Sequence, residues 1–509
     1  MEFHHDILII GSGMGGLVSA VILAKEGFDV CLIEKNRQFG GNLQTFSRDK
    51  TIFDTGVHYL GGLEKGQNLY LFFKYLEIIN DLPLSKMNEN AFDYITFDND
   101  EKKYPHAQEH DNFVKQLSKF FPEEKANLQA YCKKLQEICD DFPLYNLEEK
   151  EVYNTDILSL NLKDYLDNLT DNEKLKSVLA GSSLLYGGNE KTPLYVHALS
   201  VNSYIQSAWR IVKGGSQITK LLIKKLRKYG GTIHKKTEAI DFNFEGNTLK
   251  SVKAKNGKTF YANKFISNID LKTMINLTQG KIYKKSFQSR VNSLDLTPSS
   301  FSLYLVFKPK TFPYLNYNIY HLKEENSVWT ASSCDSKKWP EAYMISFGQS
   351  KENQQFADSI SVMTYMNFES VKEWENTFNT EIDENDRGKS YQKFKEKHIE
   401  ILLKELEKKF PKIRSCIQSV YASTPLSYRD YIYTTKGNMY GFQKDSDYAL
   451  KTFISPKTKT SNLFVTGQSV NMHGIMGTTI GAINTCSRIL GRKHLISKIK
   501  NEVNANEKL

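Results

Sequence analysis

Residues 6–34 constrain this chain more than any other stretch. Asp6-Ile7-Leu8-Ile9-Ile10 is a short apolar run suited to a buried strand, and Gly11-Ser12-Gly13-Met14-Gly15-Gly16 follows it directly. Residues 17–25 continue as an Ala-, Val- and Leu-rich helix, and Val30-Cys31-Leu32-Ile33 forms a second strand that ends on Glu34. Strand, glycine turn, helix, strand and acid, in that order, are what dinucleotide binding requires. Gly11 permits the tight turn, Gly13 lets the backbone approach a pyrophosphate, and Gly16 lets helix and strand pack closely. The helix start offers free N–H groups and a positive dipole end to the phosphates. Glu34, eighteen residues past Gly16, is placed to accept hydrogen bonds from ribose hydroxyls. An acid there disfavours a 2′-phosphate, so NADP is the least suited dinucleotide.

Downstream, Glu34-Lys35-Asn36-Arg37 leads to Gly40-Gly41-Asn42, and then to Asp54-Thr55-Gly56-Val57-His58-Tyr59. A double glycine just past the ribose acid, followed by this D-T-G-x-H-Y form, resembles the FAD-binding opening of the phytoene desaturase, carotenoid isomerase and retinol saturase family. The D-T-G-x-H-Y form is more similar to the retinol saturase and carotenoid isomerase side. One departure stands out: Asn42 occupies the place where desaturases carry Arg. Later segments carry the same resemblance. Val212-Lys213-Gly214-Gly215 precedes a Leu/Lys helix and Tyr229-Gly230-Gly231-Thr232, Ile266-Ser267-Asn268 resembles the family's strand-end S-N, and 424–431 resembles its T-P-x-S-Y-R-D passage. Near the C-terminus, Phe464-Val465-Thr466-Gly467-Gln468 is followed by Met472-His473-Gly474-Ile475-Met476-Gly477 at the start of the last long helix.

The resemblance implies an α/β fold: a discontinuous Rossmann-type FAD-binding domain, an inserted β-sheet substrate domain and a helical cap. We expect the FAD domain at 1–80, 205–300 and 455–509, the cap or lid at 81–204 and the substrate domain at 301–454. It also implies FAD as cofactor, held by Gly11, Ser12, Gly13, Met14, Gly15, Gly16, Glu34, Lys35, Gly40, Gly41, Asn42, Thr55, Gly56, His58, Ile240, Gly467, Gln468, Gly474, Ile475 and Met476. The activity implied is saturation, desaturation or isomerisation of carbon–carbon double bonds in a long apolar polyene that is carotenoid-, retinol- or polyene-acid-like. Two alternatives remain: a non-catalytic isoprenoid or lipid carrier of the GDP-dissociation-inhibitor type, and an amine-oxidase-like flavoenzyme. The electron donor or acceptor is unknown, because no second dinucleotide fingerprint is visible.

Carbon–carbon bond reduction also moves a proton, so candidate acids matter. His58 and Tyr59 follow the glycine loop, His473 lies in the C-terminal block, and Tyr428 sits in the 424–431 passage. A neutral imidazole is poised for such work near pH 7, and Asp54 is a candidate to orient His58. Each of these residues has a plainer role as a structural hydrogen bond or a cofactor contact.

Composition excludes several other classes. The 509 residues are 40% hydrophobic and 12% aromatic, enough for two or three packed units. The net charge of +10 is spread through mixed Lys/Glu helix faces, and no nucleic-acid motif accompanies it. The six cysteines form no CxxC pair, and no metal site is expected. No apolar run reaches the ~18 residues of a membrane span, and the first residues run straight into a strand. The expectation is a cytoplasmic protein with a possible peripheral membrane contact. Residues 68–79 are greasy enough for a membrane contact or a buried helix, 300–370 read as strands, 391–410 as an amphipathic helix, and the tail past Gly491 as frayed.

Overall fold

The computed structural model describes residues 2–150, 154–350, 353–380 and 387–505. The opening strand, Glu2–Ile10, becomes the middle of a sheet because Ile7, Leu8, Ile9 and Ile10 carry nothing that water would retain, and all four are buried. It runs parallel to Val30–Ile33 on one side and to Thr259–Ser267 on the other. Thr232–His234 extends the sheet beyond Val30–Ile33, and Leu463–Val465 lies parallel to the end of Thr259–Ser267. Ala239–Glu245 and Thr248–Ala254 add an antiparallel flap beside the start of that same strand. The parallel strands come from the start, middle and end of the chain, so the α/β cofactor domain is discontinuous.

The helix after the glycine turn, Met14–Lys25, is buried on every side because helices Ser216–Lys228 and Gly474–Leu490 flank it. Covered all round, it needs no polar stripe. The greasy segment forms helix Asn68–Tyr75, whose Leu69, Phe72, Phe73 and Tyr75 are buried in this domain's core. What covers it is partly the tail. Among the described residues the tail does not fray: Arg492–Ala505 is a helix that packs on Asn68–Tyr75, with Leu495, Ile496, Ile499 and Val503 buried. Its apolar residues recur at helical spacing, which outweighs its Lys- and Asn-rich composition.

A second sheet has the order Ile417–Ser423, Ser299–Phe307, Ala357–Met366, Ala342–Gln349, Asn318–Leu322, Asp93–Phe97, Asp100–His106. All its pairings are antiparallel except that of Asn318–Leu322 with Asp93–Phe97. Helix Gly388–Lys409 covers one face through Leu402, Leu403 and Leu406. The cap helices, including Lys125–Asp140 and Leu194–Gln206, cover the other. The division expected from sequence is therefore redrawn at one point. The segment expected as cap opens with Leu84–Lys86, which pairs with Ala208–Ile211, and then supplies Asp93–Phe97 and Asp100–His106 to the second sheet, where Asp93–Phe97 pairs with Asn318–Leu322.

Candidate functional site

A cavity of about 420 Å³ lies where the glycine turn, the second glycine pair and the last long helix converge. Gly11 has φ of +97°, a conformation that costs glycine little. A side chain at Gly41 would stand 3.2 Å from the Gly13 Cα, so the two glycine segments touch. The floor of the turn is plugged by one side chain. The Asn268 amide lies 2.7–2.8 Å from where Cβ atoms would stand on Gly13, Gly15 and Gly467. Gly16 faces inward: a Cβ there would meet the Gly11 carbonyl at 2.1 Å, which makes Gly16 a packing residue.

Glu34 already accepts hydrogen bonds from within the protein. Its Oε2 accepts the Ser12 N–H at 2.9 Å and the Ser12 hydroxyl at 2.6 Å, and its Oε1 accepts the Asn36 N–H at 2.8 Å. A carboxylate offers about four acceptor positions, so roughly one remains for a ligand. Neither helix pointing its N-terminus at the cavity, Met14–Lys25 or Gly474–Leu490, has an acid in its first turn. Two positive dipole ends with no acid in their own first turns suit a ligand with phosphates at one end and an electron-rich ring at the other. Across the cavity, Asn42 Nδ2 donates to Gln468 Oε1 at 3.3 Å. Burial lowers the Lys35 ammonium to about 8.

Most residues singled out from sequence line this cavity: Gly11, Ser12, Gly13, Met14, Gly15, Glu34, Lys35, Gly40, Gly41, Asn42, Gly56, Tyr59, Ile240, Tyr428, Gly467, Gln468, His473, Gly474 and Ile475. Four do not. Gly16 packs inward as described, and Thr55 donates its hydroxyl to the Gln44 carbonyl at 2.9 Å. Met476 lines a neighbouring chamber instead. His58 turns away toward the second sheet, with Nδ1 3.5 Å from Ser346 Oγ. Asp54 does not orient it: Asp54 Oδ1 accepts the Gly215 N–H at 2.7 Å. Burial, with the Arg210 charge adding to it, lowers the His58 imidazole to about 4.

The other candidates are tied down. Tyr59 donates to Asp93 Oδ2 at 2.8 Å and meets the Tyr320 hydroxyl at 2.8 Å, while Asn318 Nδ2 donates to Asp93 Oδ1 at 2.8 Å. Burial pushes the Asp93 carboxyl up to about 7 and the Tyr59 phenol well above its usual range. Tyr428 donates to the Thr55 carbonyl at 2.8 Å. His473 caps the last long helix with its ring 4.8 Å from the Tyr440 ring. Burial, then the Lys444 charge, holds His473 down at about 4, so it is neutral at pH 7.

His473 also lines a second chamber of about 290 Å³, together with Gly474, Ile475, Leu60, Leu185 and Tyr204, which the two cavities share. Its further walls are largely apolar, including Leu158, Tyr195, Leu199, Met472, Met476 and Ile480. A cofactor chamber opening into an apolar one can hold an apolar chain against a bound cofactor. Sequence reasoning passed over Tyr204, Tyr440 and Lys444, which sit in segments without a recognisable motif. Asn268 was legible only as the strand-end S-N.

A model of NAD(P)-binding Rossmann-like domains matches residues 9–76. An all-trans-retinol 13,14-reductase of Danio rerio is 25% identical over 99% of this chain and 89% of its own length. The chloroplastic prolycopene isomerase of Arabidopsis thaliana is 23% identical over 92% of this chain and 79% of its own. Among solved structures, an oxidoreductase from Methanosarcina mazei superposes with a TM-score of 0.62 at 14% identity, covering 95% of this chain and 99% of that one. A putrescine oxidase bound to putrescine gives 0.60 at 12% identity, covering 98% and 100%.

Proposed function

We propose that this chain, a member of the retinol saturase and carotenoid isomerase-like family of flavoproteins, is an FAD-dependent enzyme that saturates, desaturates or isomerises carbon–carbon double bonds of a long apolar polyene. The observation that carries this reading is the pair of cavities meeting at His473, Gly474 and Ile475. Similarity to a retinol reductase and a prolycopene isomerase over nearly the whole chain supports it. When bound, FAD supplies hydride transfer to or from carbon, and the protein supplies orientation and electrostatics.

The residues present fit that cofactor. The turn at Gly11–Gly15 and the N-terminus of Met14–Lys25 would hold the diphosphate, Glu34 a ribose hydroxyl, and the backbone near Ile240 the adenine end. Gly40, Gly41, Asn42, Gly467, Gln468, Gly474 and Ile475 would surround the ring system. Tyr204 and Tyr440 would confine the polyene, and the neutral His473, its ring 4.8 Å from the Tyr440 ring, would orient it. A His this buried holds no proton to spare at neutral pH, so His473 acts by hydrogen bonding and shape.

Among the described residues no helix is long and apolar enough to cross a membrane. Tyr448, Leu450 and Phe453 are half-exposed or more, next to Ala449, Thr452 and Phe453 in the wall of the apolar chamber. This supports a peripheral lipid contact through which an insoluble substrate enters. The test of the functional reading is the purified holoprotein. It should be yellow, and its reduced flavin should be reoxidised anaerobically by a polyene, or a polyene should isomerise without net redox change. Colourless protein that takes up prenyl chains and cannot be loaded with FAD would favour the carrier instead.

A further inference from the structure

Lys444 is a cation without a counter-ion inside an apolar chamber. It is half-buried and lines the second cavity. Nζ makes one hydrogen bond, to the Thr452 carbonyl at 3.3 Å. Among the described residues no carboxylate lies within ion-pair distance, and no Asp or Glu lines the chamber. The nearest acids in sequence, Asp445 and Asp447, face Lys191 at 3.7 and 3.5 Å. The chamber's other charged residues are cations too: Arg488 contacts Asn484, and Arg492 bonds the Lys150 carbonyl.

A buried charge is costly unless something pairs with it. An ammonium carries three donors, and one is used, which leaves two free toward the cavity. Resting on the reading that this chamber holds the substrate chain, we propose that the substrate is an anionic amphiphile: a long unsaturated acid whose carboxylate accepts from Lys444 while its chain lies along Leu158, Tyr195, Leu199, Met472 and Ile480. Two free donors match the two oxygens of one carboxylate. Lys444 and His473 line the same chamber. The carboxylate end of the substrate is thereby kept near the junction with the cofactor cavity.

The test is binding of cis-parinaric acid and its methyl ester to the holoprotein, followed by the polyene's own fluorescence. The acid should bind about 10- to 100-fold tighter than the ester, the range for a hydrogen bond to a charged group. Lys444→Met should abolish that preference while retaining ester affinity and flavin content, and Lys444→Arg should keep most of it. Equal affinity of acid and ester in the wild type overturns the proposal. So does a preference that survives in Lys444→Met, or failure of the wild type to bind either probe. Acid preference through Lys444 without turnover of any polyene would sink the enzymatic reading and leave the ion pair standing. Turnover of polyene alcohols with no acid preference would do the reverse.

Discussion

Glu34 reaches back across the glycine turn to Ser12, one carboxylate oxygen accepting both the Ser12 N–H at 2.9 Å and its hydroxyl at 2.6 Å. The Ser12 hydroxyl in turn accepts the Gly40 N–H at 3.1 Å, so one acid ties together both glycine segments of the cofactor cavity.

Removing that acid should therefore cost more than a ribose contact. In Glu34→Ala the Ser12 and Asn36 N–H groups lose their acceptor, and FAD affinity should fall about tenfold or more, the scale of a charged hydrogen bond. Gly13→Val pushes a side chain into Asn268 and toward the phosphates, and should yield flavin-free protein. The flavin-to-protein ratio after gel filtration measures both. Full occupancy in Gly13→Val would remove the cofactor assignment.

The two histidine candidates should separate. His58 faces Ser346 outside the cofactor cavity, so His58→Ala should leave flavin content and turnover close to wild type. His473 stands where the chambers meet, so His473→Ala should slow polyene turnover about tenfold, the scale of one lost hydrogen bond that positions the substrate. Because His473 lies at about 4, the rate should show no ionisation near the usual histidine value. An inflection near pH 6.5 that disappears in His473→Ala would contradict this assignment.

Tyr59 and Asp93 form the polar floor between cavity and second sheet. Tyr59→Phe strips one of the two donors from a fully buried carboxyl. It should destabilise the fold by about 1–3 kcal/mol in urea denaturation while flavin content is unchanged. A larger loss of flavin than of stability would mean that Tyr59 touches the cofactor directly.

Acid should weaken the fold through buried histidines. His197, held between the Tyr131 and Tyr186 hydroxyls at 2.7 and 2.8 Å, is lowered to about 3, chiefly by burial, and His106 to about 4. Between the ordinary histidine value near 6.5 and those values the unfolded chain binds protons that the folded chain does not, so stability falls as pH drops through that window. Asp54 and Asp93, raised to about 7 by burial, act in the opposite sense over the same range. His197→Phe should be less stable at pH 7 yet lose less on going to pH 5. Melting temperatures at the two pH values decide it; equal losses in variant and wild type would mean that His197 is not the group responsible.

Leu450→Ser combined with Phe453→Ser should weaken co-sedimentation with anionic vesicles, by about tenfold for each large apolar side chain withdrawn from lipid. Unchanged partition would place the lipid contact elsewhere on the surface.

How far the sequence reached depended on the range of the forces involved. The glycine turn, the strand before it and the acid after it were legible because much of what they do is local: Gly16 packs on Gly11, and Glu34 bonds Ser12 and Asn36. The chain ends were read less well. The tail beyond Gly491 looked frayed by composition, yet helix Arg492–Ala505 is held by Asn68–Tyr75, more than four hundred residues away. His58 and Tyr59 show the limit most plainly. Nothing within residues 54–59 says which of the two side chains will line the cofactor cavity. That was decided by the second sheet, whose Asp93 and Tyr320 draw Tyr59 in while Ser346 receives His58. Lys444 was likewise an ordinary surface lysine in sequence. Only the tertiary packing brought it to the wall of an apolar chamber, because desolvation is a property of everything that surrounds a group and not of its neighbours along the chain.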